Sequence, residues 1–249
     1  MTFGSLFAGI GGMDLGLERS GMTCKWQVEI DPFARRVLAK HWPDVRQHDD
    51  VRTFPPTAAE EWSVDLVCGG FPCQDISFAG PGAGINGARS GLWLEYARII
   101  RDLRPRYVLV ENVSALLVRG MGEVLGTLAA LGLDAEWSCI PASAIGAPHR
   151  RDRIFIVAYS DSHKHLCGMA EGQEGSGQAK EIFGSKPVRT TWWDSEPRLG
   201  RVADGIPSSV VEPRLQGLGN SVVPQVAEWI GRRIIAMSRP PDVTPSAGP

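Results

Sequence analysis

Cys73 stands in Gly69-Gly70-Phe71-Pro72-Cys73-Gln74, directly after the apolar run Val64 to Cys68. That run reads as a strand, and ligands of α/β sheets sit beyond the carboxyl ends of strands, where this thiol would emerge. Pro72 and the two glycines make the exit abrupt and stiff, able to aim a nucleophile. A loop cysteine without a role is the alternative on these residues alone. Cys68, inside the strand, reads as core. Glu111, in Glu111-Asn112-Val113, follows the apolar strand Tyr107 to Val110 and would project at the same sheet edge. It either shares a site with Cys73 or is a solvated strand-end acid. Arg151 and Arg153, in His149-Arg150-Arg151-Asp152-Arg153, run into another strand, where a period of two puts them on one face. They bind a phosphate or a carbonyl, or form a solvated basic face.

A further group, Phe7-Ala8-Gly9-Ile10-Gly11-Gly12, joins a strand candidate to a helix candidate. Glycines at a first strand–helix turn let a nucleotide-like ligand lie against the backbone. Glu29 comes 20 residues after Gly9, at the end of the second strand, where an acid commonly bonds ribose hydroxyls. The bland alternative is a tight turn plus a surface Glu. The register is not that of a dinucleotide fingerprint, because its third glycine would fall on Asp14. A nicotinamide dehydrogenase is therefore disfavoured.

The elements that must position these residues alternate. Strands are expected at Thr2 to Phe7, Cys24 to Ile30, Val64 to Cys68, Tyr107 to Val110, Trp137 to Ile140 and Ile154 to Ala158. Helices are expected at Met13 to Arg19, Pro32 to Ala39, Leu92 to Arg101, Val118 to Leu133 and Val222 to Met237. Such alternation implies an α/β fold, a mostly parallel sheet with helices on both faces. Pro32 suits a first helical turn. The long glycine-rich stretch Asp75 to Ser90 reads as a lid or binding loop. From Ser160 to about Pro187 the chain is polar and lacks apolar periodicity, and the tail from Ser238 to Pro249 holds four prolines and is expected to be disordered.

Composition sets the outer bounds. The 249 residues suffice for a full core without staples. Lys and Arg number 26 against 28 Asp and Glu, a net charge of −2, which excludes a globally basic nucleic-acid coat but not local patches. Five cysteines, with no Cys-x-x-Cys pair, argue against a disulfide framework and a cysteine-rich zinc site, and His163 with His165 is weak evidence for a metal. No metal is expected. No apolar run approaches the roughly 20 residues of a spanning helix. The start carries no basic stretch ahead of an apolar one, so no secretory signal is read and a soluble, cytoplasmic protein is expected; a monomer is expected as well.

Taken in order, FAGIGG, GGFPCQ, ENV, the RRDR strand and GLGNSVVPQ (Gly217 to Gln225) resemble the motifs of the DNA cytosine-5 methyltransferases, including the short forms of bacteria and their phages. The resemblance covers residues 3–159 and 199–236. It implies a Rossmann-like S-adenosylmethionine-dependent methyltransferase fold with a small, reduced recognition region. The catalytic and cofactor-binding domain would comprise residues 1–159 and 199–237, with a short target-recognition region at 160–198 and a disordered tail at 238–249.

The resemblance also assigns roles. Cys73 would attack C6 of cytosine as a thiolate, next to Gln74, and a helix end or nearby cation would help lower its pKa from about 8.5. Glu111 would relieve charge on the ring by hydrogen-bonding N3 and the exocyclic amine. Arg153 would contact the base carbonyl, and Arg151 would support the same site. S-adenosyl-L-methionine would lie over Phe7, Gly9, Ile10, Gly11 and Gly12, with Glu29 on its ribose. Ile30 and Leu92 would flank the adenine, Asp50 would meet its amino group, and Pro72, Asn220, Ser221 and Val222 would complete the pocket. The partner would be double-stranded DNA with the target base flipped out. Ser77 and Arg89, in the stretch Gln74 to Ser90 that resembles the family's mobile loop, and Arg189, Trp192 and Arg198 are the DNA-contact candidates. The setting would be restriction-modification or phage anti-restriction.

Two departures stand out. His149 occupies a place where the family more often has Gln, and the polar region after Ser160 is short for a target-recognition domain. Two other functions remain open: a cytosine-5 methyltransferase acting on transfer RNA, and a non-catalytic relative that binds only a flipped base or a cofactor.

Overall fold

The structure is a computed structural model that describes residues 1–72, 91–160 and 217–238. The chain runs β1 (Thr2–Leu6), α1 (Gly12–Arg19), β2 (Thr23–Val28), α2 (Pro32–His41) and β3 (Arg46–His48), then two 3₁₀ turns (Val51–Thr53 and Ala59–Trp62). It continues through β4 (Leu66–Gly70), α3 (Gly91–Leu103), β5 (Tyr107–Val113), α4 (Leu116–Arg119), α5 (Met121–Ala130) and β6 (Leu133–Pro141). A 3₁₀ turn (Ala142–Ile145), β7 (Asp152–Ser160) and α6 (Pro224–Met237) follow.

The seven strands form one sheet in the order β3-β2-β1-β4-β5-β7-β6. The pairs β3–β2, β2–β1, β1–β4 and β4–β5 are parallel, whereas β7 is antiparallel to both β5 and β6. The expected α/β architecture with a mostly parallel sheet is the observed one. Strand order reverses beside β1, the kind of switch point where open α/β sheets open a crevice at their carboxyl edge.

Both faces of the sheet are covered, so the central strands carry near-continuous apolar runs whose residues alternate in which core they enter. In β5, Val108 and Val110 join a core with Trp93, Tyr96, Ile99 and Ile100 of α3 and Val124 and Leu128 of α5. Tyr107 and Leu109 point the other way, into a core with Met13 and Leu17 of α1 and Val226, Ile230 and Ile234 of α6. Strand β7 divides likewise, Ile154, Ile156 and Ala158 against Phe155, Val157 and Tyr159. The C-terminal helix thus packs on α1, bringing the end of the chain back to its beginning.

The helices start where local chemistry dictates. Asp31 caps α2 by accepting from the Ala34 N–H at 2.7 Å, and Pro32 and Pro224 occupy first-turn positions of α2 and α6. One expected helix is two: Gly120, with φ −173° and ψ −1°, leaves the helical conformation and breaks the Val118 to Leu133 pattern into α4 and α5. Gly132, at φ 77°, then turns the chain so that Leu133 opens β6 rather than ending a helix. Strand β3 carries no apolar signal, since Arg-Gln-His form an edge strand held by backbone pairing to β2.

Candidate active site

A cleft of about 460 Å³ opens at the carboxyl ends of β1, β2, β4 and β5. The turn after β1 supplies Phe7, Gly9, Ile10 and Gly12; β2 leads into Glu29 and Ile30; β4 ends in Gly69 and Gly70, followed by Phe71 and Pro72. Strand β5 supplies Glu111, Asn112 and Val113, β7 supplies Arg153, and the returning segment supplies Asn220, Ser221 and Val222. Stretches far apart in sequence therefore share one crevice.

The glycine turn is built by unusual backbone. Phe7 and Gly9 adopt φ of 52° and 56°, and Gly11 φ of 85°. A Cβ on Gly11 would strike the ring of Trp42, so only glycine fits there. Gly11 itself is outside the cleft lining and serves as the N-cap of α1. No side chain caps that helix, which leaves first-turn N–H groups facing the cleft end. Glu29 braces the turn: its Oε2 accepts from the Gly9 N–H at 2.7 Å and its Oε1 from the Asp31 N–H at 2.8 Å. Ile30 presents a largely exposed apolar surface beside it.

This donor set fits S-adenosyl-L-methionine. Uncapped helix N–H groups suit a carboxylate, Glu29 has lone pairs left for hydroxyls, and Ile30 with Phe33 offers an apolar wall for a flat ring. Besides Gly11, two expected cofactor residues fall outside the lining of the cleft. Asp50 is outside the lining because its carboxylate caps a 3₁₀ turn, accepting from the Arg52 N–H and Nε at 3.0 Å. Leu92, at the start of α3, packs against the core.

The second part of the cleft is acid–base chemistry. Glu111 is buried (8% exposed), and Arg153 Nε lies 3.0 Å from its Oε1. Burial pushes the Glu111 carboxyl up to about 7, against the opposing pull of the Arg153 and then the Arg151 guanidinium. A carboxyl so placed can be a proton donor near neutral pH. Arg151 does not share the Arg153 geometry expected from a period of two. Its φ of 35° breaks the extended chain just before β7, and its Nη2 donates to the Gly219 and Ser221 carbonyls.

Two contributors carried no assigned role in the sequence. Asn112 Nδ2 donates to the Phe71 carbonyl at 3.1 Å, so β5 grips the chain just before Pro72. Gly70 lies beside Glu111, and a Cβ there would meet Glu111 Oε2. The position of both within ENV and GGFPCQ was the available signal. Cys73, Gln74, Ser77, Arg89, Arg189, Trp192 and Arg198 lie outside the described residues, as do residues 161–198 of the proposed recognition region and residues 239–249. Among the described residues no group of three or more His, Cys, Asp or Glu could hold a metal, and no helix is long and apolar enough to cross a membrane.

The family model for C-5 cytosine-specific DNA methylase matches residues 1–188. The chain belongs to that family. A type II methyltransferase of Bacillus subtilis is 40% identical over 162 residues, covering 62% of this chain and 41% of the relative. One from Neisseria gonorrhoeae is 34% identical over 161 residues, covering 63% and 50%. The chain thus matches about half or less of the length of these relatives. Among solved structures, a putative DNA modification methyltransferase encoded within an Escherichia coli prophage aligns with a TM-score of 0.58 at 25% identity, over 76% of this chain and 51% of that one. The Entamoeba histolytica methyltransferase EhMeth aligns with a TM-score of 0.68 over 95% of this chain and 98% of its own, at 17% identity, a likeness of fold. The methylase fold of this family is thereby the fold of this chain.

Proposed function

We propose that this protein transfers a methyl group from S-adenosyl-L-methionine to C5 of a cytosine flipped out of double-stranded DNA. The observation that carries this reading is the buried Glu111–Arg153 pair standing in the same cleft as the glycine turn and Glu29. Relatives named type II methyltransferases support DNA as the substrate and a restriction-modification setting.

Cytosine C5 is a weak nucleophile, and adding a thiolate at C6 turns it into an enamine carbon. Cys73 follows directly on Pro72, which lines the cleft, and is the residue assigned to that addition. As the sulfur–C6 bond forms, the ring gains negative charge. Glu111, its carboxyl pushed up to about 7 by burial, donates a proton to N3, while Arg153 holds the base carbonyl. When bound, S-adenosyl-L-methionine supplies an electrophilic methyl group at C5. Loss of the C5 proton to a base, return of the N3 proton to Glu111 and expulsion of the Cys73 thiolate restore aromaticity and the free enzyme.

The test is bisulfite or nanopore sequencing of DNA from cells expressing this chain or its Cys73→Ser variant, with purified transfer RNA as a comparison substrate in vitro. Cytosine-5 methylation of DNA by the wild type alone is expected. RNA methylation without DNA methylation would reassign the substrate. Cofactor binding with neither activity, and no covalent complex on 5-fluorocytosine DNA, would make the protein a binding module.

A further inference from the structure

The segment 217–222 closes the cofactor side of the cleft, and few bonds hold it there. Within it, the Ser221 N–H donates to the Gly217 carbonyl. Val222 is buried in the core beside α1, and a Cβ on Gly12 would meet both Ser221 and Val222, so the segment presses on the start of that helix. Among the described residues, Arg151 supplies side-chain bonds to it from outside. Arg151 Nη2 donates to the Gly219 carbonyl at 2.7 Å and to the Ser221 carbonyl at 2.6 Å, 68 and 70 residues along the chain. Residues 217–220 form a helical turn, and these carbonyls lie at its C-terminal end, where a guanidinium is favoured.

The geometry has a cost. Arg151 takes a φ of 35°, a region that a non-glycine residue enters at an energetic penalty and that tends to persist where function requires it. Two residues on, Arg153 pairs with Glu111. A single strand end therefore reaches in two directions, one guanidinium to the base side and the other to the cofactor side.

We propose that Arg151 is a positioning residue, a latch that holds 217–222 against the glycine turn and ties the cofactor wall to the strand end bearing Arg153. The proposal rests on reading the cleft as a methyl-donor site. Charge-assisted bonds to two carbonyls outlast ordinary fraying of a short surface turn. With the latch made, Asn220 and Ser221 stand ready for the cofactor, and cofactor binding in turn steadies the start of β7.

The test uses the full chain with S-adenosylhomocysteine as the probe. Arg151→Met keeps the apolar stem and loses both donors; Arg151→Lys keeps a charge and donors on a different head. Affinity is read by calorimetry and amide protection of 217–222 by hydrogen exchange, with and without the probe. The expected result is affinity weaker by about tenfold or more in the Met variant, the order for lost charge-assisted bonds. Probe-induced protection at 217–222 should be lost with it, and the Lys variant should recover part of both. If the Met variant binds within twofold of wild type and protects 217–222 equally, the latch is wrong. A shifted pH profile with unchanged affinity would also overturn it, leaving Arg151 only a charge acting on Glu111. Should the wild type bind no S-adenosylhomocysteine, the cofactor reading falls, and the latch is judged by protection of 217–222 in the ligand-free chains.

Discussion

Gly70 of β4 and Glu111 of β5 are paired across the sheet, and the space a Cβ would take on the former is filled by the carboxylate of the latter. The missing side chain is therefore what allows an acid to sit inside the sheet edge, between two parallel strands, with its other oxygen on Arg153.

Gly70→Ala should accordingly push the carboxyl away from Arg153. Overpacking of this kind costs about 1–3 kcal/mol of stability. The methylation rate should fall by roughly a hundredfold or more, as when a general acid is misplaced. Single-turnover kinetics on DNA checks this, alongside a denaturant titration. A near-normal rate with a shifted melting point would mean that the carboxyl position is not critical.

Glu111 predicts a pH limb of definite sign. Its carboxyl is raised by burial to about 7, so the protonated form prevails below that pH and is lost as pH rises through it. The rate should therefore fall above about pH 7, while ionisation of the thiol supplies the opposite, rising limb. In Glu111→Gln the falling limb should vanish and the remaining rate should be low, with DNA binding kept. Near-normal turnover of the Gln variant from about pH 6 to 8 would make Glu111 structural.

What could be read in advance depended on how local the signal was. Apolar runs such as Tyr107 to Val110 and Ile154 to Ala158 announced strands because both faces of the sheet are covered. The cleft residues were legible because short motifs sit at strand ends, and the sheet gathers strand ends. Strand β3 was not, since Arg46, Gln47 and His48 join the sheet edge through backbone pairing and no apolar residue marks them. Long-range partners were equally silent. Nothing around Asp50 shows that its carboxylate would cap Val51–Thr53, and nothing around Arg151 foretells carbonyl partners 68 and 70 residues away. Glu29 was half legible: an acid at that strand end was expected to face a ribose, and the structure shows it lining the cleft and accepting from two backbone N–H groups.

Asn112→Ala should separate stability from chemistry at the β4 exit. The substitution removes the Nδ2 bond to the Phe71 carbonyl and leaves that buried acceptor unpaired, a loss of about 1–3 kcal/mol. Since Phe71 leads through Pro72 to Cys73, the rate should fall more than affinity for S-adenosylhomocysteine does. Calorimetry and single-turnover rates on the same preparation make the comparison. Equal losses in rate and affinity would show that Asn112 only supports the fold.

Asp14 gives a stability prediction that does not depend on catalysis. It is fully buried in the first turn of α1, accepting from Gln27 Nε2 at 2.8 Å and from the Ser5 hydroxyl at 3.2 Å. Burial raises its carboxyl from 3.8 to about 6, the bonds from Gln27 and Ser5 opposing only in part. The folded state therefore takes up a proton that the unfolded chain, between those two values, does not hold. Stability from this group is full below the unfolded value and is lost as pH rises through about 6. The size of the loss is about 3 kcal/mol, from the usual conversion of a pKa difference. An amide at this position can accept from Gln27 and donate to Ser5 without ever ionising. Asp14→Asn should thus gain on the wild type by that order between about pH 4 and 7.5, in denaturant titrations run at both pH values. Because Glu111 titrates in both proteins, the difference between them isolates Asp14. Parallel stability curves across that range would show that Asp14 enters the folded state at its ordinary pKa, and that Gln27 and Ser5 compensate its burial fully.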